Sequence, residues 1–470
     1  MKKIIAAAVP LLVLIATAWM LYSYEKSKQA AWNRIKNPET VRMLKHFVAV
    51  KKAQAYASTN ILPSEIRATF KYAERGDWLA LSNSVQNVQE QSRYWYSLHN
   101  GYQARRSAIE NLKRAFQEKF MYYKPPFRLQ GTPGETVMEV YGAFDGFMTG
   151  DEKYAAKFGR EVIDSITTGS IYFGGTDPGR FIVTAMQKSQ VNGDPFFTLT
   201  QNALADGSYL DYLRSMYESK IYIPTDQDVQ NAFNIGETFT RTNQSPNFQW
   251  MIEGLLLKTI FQNNSNREFF VEDSVPLDWM YPYLEPHGLI MRLNRQPLSE
   301  LSGEIVRRDH DYWTKTVTPM IGDWLKPDTT VKEVAAFAEK VFARHDFSGF
   351  AGDPQFVQND YSCKIFSKER CSIAGLYGWR AQHATDAAEK KRMNAEADFA
   401  FRQAFALCPH SPEVVFRYAN LLMSESRISD ALLMAETAAK MPEMKGSDGE
   451  QIRALPGRLR QVLQQTHGAK

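Results

Sequence analysis

The sequence predicts a mixed α/β and all-α protein with a membrane helix at its N-terminus. Three observations lead to this fold class. An uncharged apolar run opens the chain, short apolar strands alternate with helices between residues 124 and 325, and small residues recur at helical spacing after residue 372. We predict five parts: a membrane helix (1–25), a helical spacer or bundle (26–123), an α/β domain (124–325), a helical linker region (326–371) and a domain of helical hairpins (372–470).

The composition is that of a water-soluble protein attached to this apolar run. Of the 470 residues, 44% are hydrophobic and 13% are aromatic, which is enough apolar material for several packed cores. The 56 basic and 52 acidic residues nearly balance at a net charge of +4. Because nucleic-acid-binding proteins usually concentrate positive charge more strongly, we expect no nucleic-acid partner. The sequence also contains no motif that predicts a cofactor.

The N-terminal run is long enough to cross a membrane. Ile4 to Tyr24 contains no charged residue, and a spanning helix needs about 20 such residues. Lys2 and Lys3 precede the run, which favours a cytoplasmic N-terminus and a single-pass protein of the bacterial inner membrane with its bulk in the periplasm. The alternative is a signal peptide cleaved after Ala16-Thr17-Ala18, which would release a soluble periplasmic protein. Both interpretations export the rest of the chain.

The spacer is predicted to be helical almost throughout. Apolar residues recur at three and four positions over four segments, which are Thr40–Ala55, Pro63–Arg75, Trp78–His99 and Ala104–Phe120. The aromatic residues Tyr94–Tyr96 are expected to be core residues or, alternatively, a partner surface. Antiparallel packing of these helices would form a bundle next to the membrane.

Strands and helices alternate in the central domain, which predicts a mainly parallel sheet with crossover helices. The predicted strands are Ser170–Phe173, Pro195–Thr200, Phe269–Glu272 and Gly288–Leu293. The predicted helices are Phe181–Lys188, Tyr209–Tyr217 and Leu277–Leu284. Ligands of such sheets bind at the carboxyl ends of the strands, so the loops after the first three strands should lie together.

The loop after the first strand is the candidate ligand site. Its glycines would expose backbone N–H groups, and the helix that follows favours an anion. Polar side chains follow the second strand and suit carbohydrate or hydroxyl recognition. The candidate ligand-binding residues are Gly174, Gly175, Asp177, Arg180, Gln201 and Asn202. The alternatives are an ordinary turn for the first loop and helix capping, as by Asp206, for the second.

Small residues near the C-terminus recur as in a tetratricopeptide repeat. If Pro409 ends a 34-residue unit, small and large residues fall where two helices of one hairpin approach closely. The positions assigned to this repeat packing are Ala397, Phe401, Ala404, Pro409, Ala419, Ala431 and Ala438. Ala435 stands where the repeat usually has a large residue. The alternative is an unrelated amphipathic hairpin.

Neither the cysteines nor the histidines form a recognised site. Cys363 and Cys371 could pair in an oxidising compartment, which would leave Cys408 over, or all three could be small buried hydrophobic residues. No metal site is expected, because no second Cys or His pair stands at ligand spacing. His287 could act as a general base, but no nucleophile is placed near it in the sequence.

Three segments resemble part of a known family. GSIYFGGTDPGRFIVTAMQ, TLTQNALADGSYLDYLR and EFFVEDSVPLDWMYPYLEPHGLIMRLNRQPL cover residues 169–187, 198–214 and 268–298. They resemble the soluble, non-cytoplasmic module of bacterial multi-spanning proteins similar to dolichol-phosphate-dependent mannosyltransferases, which often carry a tetratricopeptide tail. The resemblance implies the accessory module without the catalytic membrane core, since this chain has one apolar segment. Asp177 and Arg180 match the family's polar loop by position, as ligand contacts only.

Two functional hypotheses follow. In the first, the chain is a membrane-anchored accessory or scaffold protein that binds a membrane or envelope protein, in glycan assembly or export. In the second, the α/β domain binds a sugar or nucleotide-sugar-like ligand at the loop Gly174–Arg180, with or without catalysis. No catalytic residue is assigned.

Overall fold

The computed structural model describes residues 35–59, 61–87, 131–175, 177–189, 193–242, 248–272, 277–443 and 446–468. The predicted membrane segment Ile4–Tyr24, the aromatic residues Tyr94–Tyr96 and the predicted helix Ala104–Phe120 lie outside these ranges. Within them, no helix has both the length and the apolar character needed to cross a bilayer. The fold is mostly helical with one small mixed sheet.

The first helices agree with the predicted spacer. α1 (Pro38–Ala57) begins where the Asn37 side chain accepts a hydrogen bond from Glu39 N, and Pro38 occupies the first turn. α2 (Ser64–Arg75) ends at Gly76, whose φ of 65° suits glycine. Residues 78–87 are also helical. The predictions of Thr40–Ala55 and Pro63–Arg75 are therefore confirmed, as is the described part of Trp78–His99.

Five strands of the described ranges form one sheet in the order β2-β1-β3-β5-β4. The strands are β1 (Ile171–Gly174), β2 (Phe197–Thr200), β3 (Phe269–Val271), β4 (Leu284–His287) and β5 (Ile290–Leu293). β1 pairs in parallel with β2 and β3, with Ile171 opposite Phe197 and Phe269. β5 pairs antiparallel with β3 and β4. The sheet is thus mixed, and the expectation of a mainly parallel sheet is corrected to a parallel half joined to an antiparallel hairpin.

One predicted helix is wrong. Leu277–Leu284 contains a short 3-10 turn, Tyr281–Tyr283, and then enters strand β4. Its apolar spacing fits either structure, and pairing with β5 decides for the strand. Pro286 is compatible with β4 because this strand lies at the edge of the sheet, where a missing N–H donor is tolerated. Gly288, with a φ of 68°, forms the tight turn to β5.

Helices surround the sheet, whose strands β1, β2 and β3 are buried throughout. Those before and between the strands are α3 (Gly131–Thr149), α4 (Glu152–Ser165), α5 (Val183–Met186, preceded by a π-helical turn at Pro178–Ile182), α6 (Gly207–Tyr217), α7 (Asp226–Thr242) and α8 (Phe248–Asn263). Those after the sheet are α9 (Gly303–Ile321), α10 (Val331–Ala338, followed by a π-helical turn at Glu339–Ala343) and α11 (Pro354–Val357).

The C-terminal part consists of five consecutive helices. They are α12 (Asp360–His383), α13 (Ala387–Leu407), α14 (Pro412–Ser424), α15 (Ile428–Ala439) and α16 (Gly446–Gly468). α12 packs along α13, α14 along α15, and α15 along α16. The chain is therefore built of helical hairpins here, and their assignment to the tetratricopeptide type stays a prediction. The predicted domain boundary at 371/372 falls inside α12.

The sheet and the C-terminal hairpins share one hydrophobic core. A continuous cluster of buried residues extends from Tyr154 to Leu459 and includes strand residues as well as helix α13. A second cluster joins α1, α2 and α3 and reaches Ala185 in α5. Deleting the last hundred residues would consequently expose apolar surface of the α/β part.

Candidate functional site

The loops after β1, β2 and β3 meet at one edge of the sheet, as the sequence predicts. Gly175 N donates a hydrogen bond to Glu272 Oε2 at 2.7 Å, and Glu272 directly follows β3. Asn202 Nδ2, in the turn after β2, donates to Gly175 O at 3.0 Å. Gly174, Gly175 and Asn202 are therefore brought together, and the three loops are tied by the chain's own groups.

The glycine loop encloses a carboxylate that belongs to the protein itself. Glu272 is fully buried. A Cβ at Gly179 would lie 1.8 Å from Glu272 Oε2, so glycine is required for this close approach. The Glu272 carboxylate thus lies where the sequence predicts an anionic ligand.

Asp177 and Arg180 do not face a common ligand. Asp177 is exposed. Arg180 is buried, with Nη2 2.6 Å from Glu135 Oε2 and 3.7 Å from Glu139 Oε1. Its guanidinium also lies 4.9 Å from the ring centroid of Tyr209, a cation–π distance. Arg180 therefore has internal partners, while Asp177 is open to solvent.

Arg180 belongs to a buried network that we call the Lys51–Arg180 cluster; its members are Lys51, Glu135, Glu139, Arg180 and Tyr212. Lys51 Nζ lies 2.5 Å from Glu139 Oε2 and donates to Tyr212 OH at 3.0 Å. Tyr212 OH in turn donates to Glu139 Oε2 at 2.9 Å. Lys51 and Tyr212 are fully buried. The cluster connects α1, α3 and α6 with the turn after β1.

Burial and pairing oppose each other in the electrostatics of this cluster. Burial lowers the pKa of Lys51, and the Glu139 carboxylate counteracts that shift. Burial raises the pKa of Glu135, and the Arg180 guanidinium counteracts it. For Arg180, burial lowers the pKa, but Glu135, Tyr209 and Glu139 together outweigh burial and raise it. Each charge is thus tolerated only because its partner is present, since an isolated buried charge is strongly unfavourable.

Three buried polar atoms at this edge have no hydrogen-bond partner among the described residues: Arg180 Nε, Thr200 Oγ1 and Gln201 Oε1. Arg180 and Thr200 both contact Tyr209, whose hydroxyl accepts a hydrogen bond from Thr200 N at 2.7 Å. Buried polar groups are nearly always paired, so these atoms call for an explanation such as water or a small polar ligand.

The other polar candidates have structural roles. Asp206 caps α6 by accepting a hydrogen bond from Ser208 N at 2.9 Å, as the capping interpretation expects. His287 Nε2 lies 2.9 Å from Ser165 O. Burial lowers the pKa of His287. Within the described ranges, no group of three or more His, Cys, Asp and Glu side chains is arranged to hold a metal ion.

Sequence reasoning did not identify Lys51, Glu135 and Glu139. A signal existed for Lys51, because it lies at helical spacing with the buried residues Leu44, Phe47, Val48 and Ala55 of α1. A lysine on the apolar face of a helix requires a buried partner. That partner comes from α3, and the sequence alone does not show that α1 packs on α3.

The repeat-packing residues all lie in the interhelical core. Phe401 in α13 stacks on Tyr418 in α14 with ring centroids 5.5 Å apart. All seven assigned positions are buried. They are Ala397, Phe401, Ala404, Pro409, Ala419, Ala431 and Ala438. The small size of the five alanines among them allows the helices to approach closely.

An open groove of about 490 Å³ lies between the first half of α13 and the turn from α14 to α15. Side chains that contribute charge or polarity to it are Lys390, Lys391, Asn394, Asp398, Glu425 and Arg427. The two acidic groups are held by Arg427 Nη1, at 2.9 Å from Asp398 Oδ1 and 3.2 Å from Glu425 Oε2. Lys390 and Lys391 are exposed and form no ion pair with any residue that the structure describes. The charge of the groove that no described side chain neutralises is therefore positive.

Of the two interpretations of the cysteines, the pairing of Cys363 with Cys371 is excluded by the structure. Both lie in α12, where eight residues separate them by about 12 Å along the helix axis. A disulfide needs Cα atoms within roughly 7 Å. Cys363, Cys371 and Cys408 are buried thiols, in agreement with the alternative interpretation.

Comparison of the chain with protein-family models, curated proteins and solved structures finds no match.

Proposed function

We propose that this chain is a membrane-anchored, periplasm-facing accessory or scaffold protein that binds a partner protein through its C-terminal hairpins. The groove on α13 to α15 carries the proposal. Its exposed lysines, Lys390 and Lys391, offer positive charge that the protein does not itself neutralise. We infer that the partner contributes an acidic segment, and that it belongs to a membrane or envelope complex, in glycan assembly or export.

The groups at the edge of the sheet are already paired with each other, which favours the scaffold function over a catalytic one. Glu272 fills the loop that a phosphate or carboxylate would otherwise occupy. Arg180, the cation that would bind such an anion, is held by Glu135. A ligand at that position would have to displace internal ion pairs, at considerable energetic cost.

The Lys51–Arg180 cluster suits an anchored protein. α1 follows the predicted membrane segment by about a dozen residues. Lys51 on α1 is bound to Glu139 and Tyr212, so α1 is fixed to the α/β part. If the chain is anchored through Ile4–Tyr24, this contact limits how far the groove can move relative to the membrane.

Partner capture with a charge reversal in the groove tests the proposal. The full chain carries a tag at its C-terminus, intact cells are crosslinked, and the proteins recovered from solubilised membranes are identified. Lys390→Glu with Lys391→Glu should remove a recurrent membrane partner, because both side chains are exposed and their replacement leaves the core intact. This variant is preferable to deletion of 372–470, which would cut α12.

The matched control is Lys258→Glu with Lys332→Glu, which makes the same charge change at exposed positions on α8 and α10. It should retain the partner. Equal capture by the two double variants and by the unchanged chain would refute the groove as the binding surface. Absence of any specific partner of the unchanged chain would refute the scaffold function itself.

A second candidate function is binding of a sugar or nucleotide-sugar-like ligand at the carboxyl edge of the sheet. The unpartnered buried atoms Arg180 Nε, Thr200 Oγ1 and Gln201 Oε1 favour it. Thermal unfolding in the presence of a panel of sugars and sugar nucleotides should then show a stabilising shift that Gln201→Leu abolishes. No shift with any member of the panel would count against this function.

A further inference from the structure

Helices α12 and α13 form an antiparallel hairpin whose register is fixed by hydrogen bonds. Ser367 Oγ donates to Ala404 O at 2.7 Å. In an antiparallel pair, one turn back along the first helix corresponds to one turn forward along the second. Cys363 precedes Ser367 by four residues, and Cys408 follows Ala404 by four. The two cysteines therefore lie opposite each other.

The residues along this seam are small enough for close helix approach. Ser367 faces Ala404, and the same register places Cys371 opposite Ala400. Packed helices have axes about 8–10 Å apart, and Cα atoms lie about 2.3 Å from each axis. Directly facing Cα atoms then lie about 3.4–5.4 Å apart, a range that overlaps the roughly 4.4–6.8 Å that a disulfide requires. Cys363 and Cys408 are both fully buried.

An imidazole and a carboxylate adjoin this pair of thiols. His410 Nε2 lies 3.4 Å from Cys408 Sγ and 2.6 Å from Asp360 Oδ1. Burial alone would lower the pKa of His410, but Cys408 and Asp360 raise it to about 10. Burial raises the pKa of the Cys363 thiol, and the charge of Cys408 raises it further, which agrees with the proximity given by the register. Cys408 is thus the thiol with a positively charged imidazole beside it, and Cys363 is the one kept protonated.

We propose that Cys363 and Cys408 are a dithiol pair that closes to a disulfide across the α12–α13 hairpin, with His410 as the residue that activates Cys408. The oxidant is a low-molecular-weight disulfide of the glutathione type. The chemistry is independent of the partner-binding proposal. Its occurrence in the cell requires an oxidising compartment and so rests on the proposed export of the chain.

The exchange balances in two steps. Cys408 attacks one sulfur of the oxidant as a thiolate beside the protonated His410, so one glutathione leaves as a thiolate and takes up from solvent the proton that Cys408 released. Cys363 then attacks the Cys408 sulfur of the mixed disulfide, and the second glutathione leaves with the Cys363 proton. Two electrons pass from the two cysteines to the oxidant, which becomes two thiols. Because both sulfurs are buried, these steps proceed while the hairpin end is open, before the core closes around it.

The test uses the reduced full chain in detergent, unfolded and then refolded in a buffer of glutathione disulfide and glutathione. Remaining thiols are alkylated, and the protein is digested with trypsin without reduction. Lys364, Lys368 and Arg370 allow trypsin to separate Cys363 from Cys371. Mass spectrometry should show the Cys363 peptide joined to the Cys408 peptide and Cys371 alkylated. The midpoint of thermal unfolding should be several degrees higher for the oxidised chain than for the reduced one.

Three variants keep the test specific. Cys371→Ser should retain the link, and Cys363→Ser should abolish it without a new pairing. His410→Gln should give the same final link at a rate at least several-fold lower, which a purely structural role would not predict. Any pairing that includes Cys371, or three alkylated thiols in refolded protein, would overturn the proposal. Closure of the His410 variant at the unchanged rate would overturn the role of the imidazole. Failure here leaves partner capture unaffected, so the two proposals are separately testable.

Discussion

Replacing Lys51 by methionine should destabilise the protein far more than replacing its neighbour Lys52. Lys51 Nζ contacts Glu139 and Tyr212, and methionine keeps the packing of the chain while removing the charge. Breaking a buried ion pair from one side costs about 3–5 kcal/mol, because the other charge stays buried. Here Tyr212 still donates to Glu139, and Arg180 lies 3.7 Å from it, so we expect a loss of about 2–4 kcal/mol.

The assay is urea unfolding of the full chain in detergent, followed by tryptophan fluorescence. Lys52→Met is the matched control, since Lys52 is about one-third exposed and pairs with the half-exposed Glu74. It should change the free energy of unfolding by no more than about 1 kcal/mol. Glu139→Leu should lower stability as Lys51→Met does, because it leaves a buried cation.

The double variant Lys51→Met with Glu139→Leu tests whether Lys51 and Glu139 stabilise each other. If each of the two buried charges is stabilised mainly by the other, the double variant should be more stable by about 2–3 kcal/mol than the sum of the two single effects predicts. Additive losses, or a loss for Lys51→Met no larger than that of the Lys52 control, would refute the argument that Lys51 is paired with Glu139 in the core.

Two further predictions concern a glycine and a histidine. Gly179→Ala should lower the free energy of unfolding by about 1–3 kcal/mol, because the added Cβ would clash with Glu272. Gly378→Ala in α12 should instead raise it by up to about 1 kcal/mol, because nothing lies within 4 Å of that Cβ. Urea unfolding compares the two variants, and equal effects would contradict the geometry. His410, with its pKa raised from 6.5 to about 10, contributes stability that is complete below pH 6.5 and is lost as the pH rises through 10. His410→Gln should therefore remove a few kcal/mol of pH-dependent stability between pH 6.5 and 10, measured as the difference between the two unfolding curves, and parallel curves would refute the assignment.

The strands could be read from the sequence because their local patterns agree with the fold. Four short apolar segments bounded by turn residues became β1, β2, β3 and β5 with shifts of one or two residues. β4 was missed, since Leu284–His287 contains a proline and only one aliphatic residue. Only its pairing with β5 makes it a strand, and that pairing is a non-local interaction.

The candidate site, like the strands, could be predicted from the sequence only in part. The sequence correctly placed Gly174, Gly175 and Asn202 at one edge, because parallel strands bring their carboxyl ends together. It could not show that Glu272 enters the loop or that Glu135 pairs with Arg180, because these carboxylates come from β3 and α3. Their positions depend on how distant segments pack.

The sequence by itself determined the mostly helical character with a few strands, the parallel arrangement of β1 to β3 and the small-residue seams of the C-terminal hairpins. These depend on periodicity and turn residues, which act within about ten residues. Only the tertiary structure decided that Arg180 is neutralised internally, that Cys363 faces Cys408 rather than Cys371, and that the sheet and hairpins share one core. A buried charge or thiol takes its properties from whatever the fold brings next to it, and neighbours far apart along the chain leave no local pattern.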